Sequence, residues 1–185
     1  MKKYELTEET VTVYGKTLYR IRAVRDFGSV KTGEFGGYIE KEENLSHFGN
    51  AWVSGNAWVF DNARVYDDTW VYGNARVYDN AWVFGNAWVF GNAKVYGDAW
   101  VSGNAEVFNT MHFFVQGPIG SRNGFITFYR TKDNTVEVRC GCFSGSLQKF
   151  VDRVEETHGG SRYEKEYKLA AELAKVCIRL EGESR

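Results

Sequence analysis

GNAWVSGNAWVFDNARVYDDTWVYGNARVYDNAWVFGNAWVFGNAKVYGDAWVSGNAEVF, residues 49–108, is one six-residue phrase written ten times without interruption. Valine recurs at 53, 59, 65, 71, 77, 83, 89, 95, 101 and 107, and two places before each stands Ala, or Thr at Thr69 alone. A fixed short period of this kind defines a repeat architecture in which each unit buries its apolar face only against its neighbours. Along an extended segment alternate side chains point to opposite faces, so Ala51 and Val53 share one side while Trp52 and Ser54 share the other. The Gly-Asn and Asp-Asn pairs between segments tolerate left-handed backbone conformations and so supply the turns. A short strand and a tight turn every six residues wind the chain into a coil of triangular section, with Val and Ala inside.

The flanks differ from the array. Residues 10–23 read as a hairpin, with Val11, Val13, Leu18 and Ile21 on its strands and Gly15-Lys16 as a Gly-X pair suited to a type II′ turn. Such a hairpin is expected to cap the open end of a solenoid. Between residues 24 and 48 the hexad phase runs backwards into Leu45, in an Ala slot, and His47, in a Val slot. Beyond the array, strands are expected at 111–116, 125–130 and 135–142. Two helices follow, the first carrying Leu147, Phe150, Val151, Val154 and His158 at helical spacing, the second Tyr163, Tyr167, Ala170, Ala174 and Cys177. Ser144 or Ser146 is the expected cap of the first helix and Gly159-Gly160 its stop. The expected organisation is therefore a cap over 1–38, a repeat coil over 39–108 and an α+β domain, β-β-β-α-α, over 109–185.

Composition narrows the classes of function. The chain is 185 residues long with a net charge of −1, and the array itself carries three basic against six acidic side chains, so no segment forms a footprint for duplex nucleic acid. MKKYELTEET lacks the apolar core of a signal peptide, and no apolar run approaches a membrane span, which points to the cytoplasm. Three cysteines are too few and too unevenly spaced for a disulfide framework.

The array resembles the hexapeptide-repeat proteins that fold as left-handed parallel β-helices, in which an aliphatic residue is followed four places on by a small one, as Val53 is by Ala57. That resemblance implies the left hand, three hexads per coil and a homotrimer. The phrase DFGSVKTGEFGGYIEKEENLS (26–46) resembles the cap of such proteins encoded by phages and prophages. GPIGSRN (117–123) and VRCGCFSGSLQKF (138–150) resemble a small C-terminal domain of uncharacterised function found on the same proteins. Together they imply a setting inside a bacterial host, in the host cytoplasm.

With three hexads per coil, positions 18 apart stack. One face then carries Trp52, Trp70, Trp88 and Glu106, a second Trp58, Arg76 and Lys94, and a third Arg64, Trp82 and Trp100. Further aromatic rows, Tyr72, Phe90, Phe108 and Phe60, Tyr78, Tyr96, run alongside. Exposed apolar surface on that scale marks an interaction site, so all six tryptophans are expected to be covered in an assembly interface or under the C-terminal domain, with stacking of a planar ligand as the second reading.

The usual chemistry of hexapeptide-repeat enzymes, acyl transfer, would lead one to expect a histidine at an inter-subunit cleft and a loop between coils. The array has neither, and His47 is the one histidine near it, so an acyltransferase-like enzyme is the weakest reading. Cys140 and Cys142 alternate with polar neighbours on an expected apolar strand face and read as buried thiols, without the donors of a zinc site. No metal and no cofactor are implied. The best candidate site is the glycine-bounded loop 117–124, where Arg122 offers a guanidinium fork for phosphate or carboxylate and Ser121 and Asn123 add polar groups. Tyr129 and Tyr163 are candidate stacking partners, and His158 is either a ligand contact or a capping residue. The alternative is that this loop simply joins two strands.

The function expected is a non-catalytic binding protein that sequesters a small anionic, nucleotide-like ligand, in a phage setting a host immune signal, on a trimeric scaffold. A module that docks a protein partner through its aromatic faces is the alternative.

Overall fold

A computed structural model describes residues 2–181. The chain is mainly β, a solenoid of about four turns followed by a four-stranded sheet and two helices. Strands β1 (Tyr4–Val13) and β2 (Lys16–Ala23) form an antiparallel hairpin, and β2 pairs antiparallel with β3 (Phe35–Ile39). Ten two-residue strands follow, β4 to β13, at Trp52–Val53, Trp58–Val59, Arg64–Val65, Trp70–Val71, Arg76–Val77, Trp82–Val83, Trp88–Val89, Lys94–Val95, Trp100–Val101 and Glu106–Val107.

They stack as three parallel sheets, β4-β7-β10-β13, β3-β5-β8-β11 and β6-β9-β12, with Trp52 opposite Trp70 and Trp70 opposite Trp88. Each rung is tied to the next by backbone bonds such as Trp52 N–H to the Thr69 carbonyl at 2.9 Å. The Val and Ala columns are at most 1% exposed, which is the apolar burial that holds so short a strand in place.

Every hexad opens with a residue at positive φ, seven times Gly and three times Asp, namely Asp61, Asp67 and Asp79. At Gly49 a Cβ would overlap the Asp67 carbonyl of the next rung, so glycine is required there. The aspartates compensate for their strained backbone by bonding upward. Asp67 accepts the Gly85 N–H at 3.1 Å and Asp79 accepts the Gly97 N–H at 3.0 Å.

Several expectations are corrected at the N-terminal end. The hairpin turns on Tyr14-Gly15, both at positive φ, rather than on Gly15-Lys16, a twist that matches the flanking strands. In the first coil Ile39 pairs with Val59 and Leu45 with Val65, twenty positions apart, whereas Val53 pairs with Val71. Two extra residues therefore fall between Leu45 and Ala51. Leu45 takes the Val position, and His47 is pushed out of the interior to stack on Tyr4 at 4.3 Å. Trp52 is only 2% exposed, covered by Tyr4 and Phe27, so this tryptophan packs inside its own chain and is not an assembly surface.

The C-terminal sheet has four strands, not three: β14 (Phe113–Ile119), β15 (Gly124–Arg130), β16 (Val136–Cys140) and β17 (Phe143–Ser146), an antiparallel meander. The expected loop 117–124 is thus largely a β-hairpin whose turn is 120–123. The expected strand 135–142 is cut at Cys140 because Gly141 takes φ 56° and closes a tight turn back into β17. Cys142 lies exposed in that turn rather than on an apolar face. Helix α1 (Leu147–His158) is capped by the Ser146 hydroxyl and ended at Gly159, and α2 (Arg162–Cys177) is capped by Ser161. No helix among the described residues is long and apolar enough to cross a membrane.

Candidate functional site

The site is built where β15 crosses the end of the solenoid. Successive side chains of β15 alternate, so Ile126 and Phe128 pack under the helices while Thr127 and Tyr129 face the last coil. Thr127 Oγ1 accepts the Trp100 N–H at 2.9 Å, and the Tyr129 hydroxyl lies 3.2 Å from Ser102 Oγ. Lys132 N–H reaches the Asn104 carbonyl at 3.0 Å, and Arg130 pairs with Glu106 at 2.6 Å. The strand thereby satisfies backbone groups that a further rung would otherwise meet. Tyr129 is fully buried in this joint, which removes it from the ligand-contacting set.

Beside the joint opens a cavity of about 1020 Å³, walled by the solenoid on one side and by the C-terminal domain on the other. From the β14–β15 turn come Ser121 and Arg122, and from the end of α1 comes His158, three of the residues anticipated from sequence. Asn123 sits in the same turn at φ 48° but does not line the cavity, and its role is to make the turn. Tyr163 stands behind His158, ring centroids 5.9 Å apart, and does not line the cavity either.

The remaining walls were not anticipated. Arg139 reaches in from β16, its Nε donating to Ser102 Oγ at 2.9 Å and its guanidinium lying 5.0 Å above the Phe84 ring. Arg153 and Thr157 come from one face of α1, four residues apart, and Arg153 makes an exposed pair with Glu156. Trp100 and Phe125, 37% and 42% exposed, add apolar rings, and Asp98 is the one carboxylate on the wall among the described residues. The alternation of Arg139 with buried Val138, and the Arg153/Thr157 spacing, were the available signals. What sequence could not show is that a β-strand and a helix converge on one rung of the solenoid.

The hairpin turn is held by the second helix. Gly120 N–H donates to Glu166 Oε2 at 2.8 Å, and a Cβ at Gly120 would overlap the Tyr167 hydroxyl, so this glycine serves packing against α2 rather than approach to a ligand. Burial, with Cys140 beside it, pushes the Tyr167 hydroxyl up to about 12. Burial likewise pushes the Cys140 thiol up, away from the thiolate that a nucleophile or metal ligand requires. Among the described residues no three His, Cys, Asp or Glu side chains come together where they could hold a metal ion.

On the outside of the solenoid the aromatic rows stack on themselves. Tyr72–Phe90 and Tyr66–Phe84 lie 4.8 and 5.0 Å apart and within 2° of parallel, and Trp82–Trp100 lie 5.4 Å apart at 11°. Arg76 covers Trp58 at 4.3 Å and Lys132 covers Trp88 at 4.1 Å. Trp70 packs against the solenoid core. Much of the aromatic coat is therefore spent within the chain, and Trp88, Tyr96 and Trp100 are its most exposed members. His47 accepts the Lys3 N–H at 3.3 Å, and burial lowers its pKa, so it is a packed structural ring.

These repeats match the family described as the YdcK beta solenoid repeat over residues 57–73, 71–85 and 75–91. The chain is a β-solenoid repeat protein. No curated protein matches the chain.

Proposed function

We propose that this chain is a non-catalytic binding protein that captures a small anionic, nucleotide-like ligand in the cavity between its solenoid and its C-terminal domain. The observation that carries this reading is the convergence of Arg122, Arg139, Arg153 and His158 on a wall with a single carboxylate, next to two exposed aromatic rings. Guanidinium forks suit phosphate oxygens, and aromatic rings suit a base. Capture needs only affinity and copy number, and in a phage-infected cell it would sequester a host signalling nucleotide in the cytoplasm. We read the solenoid as left-handed, the β1–β2 hairpin as its cap, and the working form as a homotrimer.

Isothermal titration with cyclic oligonucleotides, ADP-ribose derivatives and mononucleotides tests this. Binding by at least one of them, weakened about tenfold or more by Arg122→Ala, is expected. No heat and no thermal shift across the whole panel overturns the reading.

A second reading, docking of a protein partner, is favoured by the exposure of Trp88 and Tyr96, 41% and 42%. It requires a specific partner that is lost on Trp88→Ala while nucleotide titrations stay silent.

A further inference from the structure

The two walls of the cavity differ in chemistry, and the difference specifies the ligand more closely than its charge. The C-terminal domain contributes the three arginines, Arg122, Arg139 and Arg153, and the His158 imidazole. The solenoid contributes Trp100 and Asp98, a ring and a carboxylate.

Trp100 is the last ring of its ladder. It stacks on Trp82 beneath it, β12 is the terminal strand of its sheet, and although β15 docks on its backbone through Thr127 the ring stays 37% exposed on the cavity wall. A ring so placed offers a platform whose orientation is already set by the stack below. Asp98 likewise ends a row of turn side chains. Asn62 donates to Asn80 at 3.2 Å, and Asn80 donates to Asp98 Oδ1 at 3.1 Å, but Asp98 makes no ion pair among the described residues. A carboxylate is an acceptor only, and it repels phosphate. On a wall otherwise free of acids it therefore selects a part of the ligand that carries N–H or O–H donors. Across the cavity, the Nε of Arg139 donates to Ser102 and its guanidinium lies over the Phe84 ring, which fixes the fork, while its terminal nitrogens make no ion pair among the described residues.

Building on the anion-site reading above, we propose that the cavity takes a two-ended ligand. A nucleoside seats on Trp100 with its amino or hydroxyl donors toward Asp98, and at least two phosphate groups lie among Arg122, Arg139 and Arg153. The volume of about 1020 Å³ stands at the upper end of the range for small-molecule sites, consistent with a ligand larger than a nucleoside. Trp100 and Asp98 are then the residues that separate nucleotides from bare polyphosphate, and the arginines separate nucleotides from nucleosides.

The test is titration of the full chain with ADP, GDP, CDP and UDP, with inorganic pyrophosphate and with adenosine. Wild type is expected to bind at least one nucleoside diphosphate about tenfold or more tighter than pyrophosphate, and adenosine weakest of all. Trp100→Ala is expected to weaken that diphosphate about tenfold and leave pyrophosphate unchanged, while Trp100→Phe retains most of the preference. Asp98→Asn, which keeps the turn amide row, is expected to change the order among the four bases. Melting curves of each variant confirm that it is folded. Equal affinity for pyrophosphate and every diphosphate overturns the nucleoside seat and leaves the anion site standing. Unchanged diphosphate binding by folded Trp100→Ala does the same. If none of the six probes binds, or if adenosine binds as tightly as ADP, the anion site falls and the two-ended ligand falls with it.

Discussion

Thr69 carries the one hydroxyl in a column otherwise made of alanine, and it is fully buried with its Oγ1 unpaired among the described residues. An unpaired buried hydroxyl costs about 1–3 kcal/mol, so Thr69→Val, which keeps the shape and removes the group, is expected to stabilise the fold by about 1 kcal/mol in a denaturant titration. Lys3 poses the opposite case, a buried ammonium that donates to the Ala51 carbonyl at 2.7 Å and lies 4.9 Å from the Phe27 ring centroid. Burial, helped by Arg25, lowers its pKa from 10.5 to about 8. The unfolded chain therefore holds this proton where the folded chain releases it, and stability rises with pH above 8. The gain is expected to be about 1–2 kcal/mol between pH 8 and 9.5, and it is absent in Lys3→Met. Above pH 10 it is opposed by Tyr4, whose hydroxyl burial holds protonated while the unfolded chain ionises. Thr69 was visible in the sequence as a departure from the repeat. Lys3 was not, because nothing in MKKYELTEET says which side chain will be buried between the Ala51 carbonyl and the Phe27 ring.

At the level of elements, the middle of the solenoid behaves as a stack of interchangeable turns, since its rungs bond to the rungs 18 residues away. Deleting residues 67–84, one whole turn, keeps the phase of all three sheets and the seat of β15 on the last coil. A folded protein with reduced stability is expected by circular dichroism melting. Deleting 67–72 alone rotates everything downstream by one face and is expected to abolish cooperative melting. Within the C-terminal domain, Gly120→Ala forces a side chain into the Tyr167 hydroxyl at φ 72°. It is expected to cost more than about 1 kcal/mol and to displace Arg122, weakening ligand binding beyond the loss of stability. The ladder was legible because a six-residue period leaves no other arrangement for Val and Ala. The four-stranded sheet was less so, since Gly141 in the middle of an apolar alternation reads as strand until its positive φ ends it.

For the whole molecule, ligand and assembly are linked to stability. A ligand held only by the folded protein stabilises it by about 2.7 kcal/mol at a hundredfold excess over its Kd, so the tightest nucleotide is expected to give the largest rise in Tm. A homotrimer of 21.1 kDa chains is expected in native mass spectrometry, and a monomer at micromolar concentration would refute it. Trp52 is buried within its own chain and Trp58 is covered by Arg76, so neither ring is expected to contribute to that trimer's interface.

What the amino-acid sequence determined alone was the coil: its period, its Val and Ala interior, and its glycine and aspartate turns. Those features follow from contacts between residues at a constant separation, and a constant separation can be counted. The tertiary structure decided the site. Trp100 belongs to the solenoid, Arg139 to a strand and Arg153 to a helix, and no spacing in the chain relates them. They share a cavity because Thr127 and Tyr129 of one strand dock on Trp100 and Ser102, and that docking depends on which edge of the last coil is left to be covered.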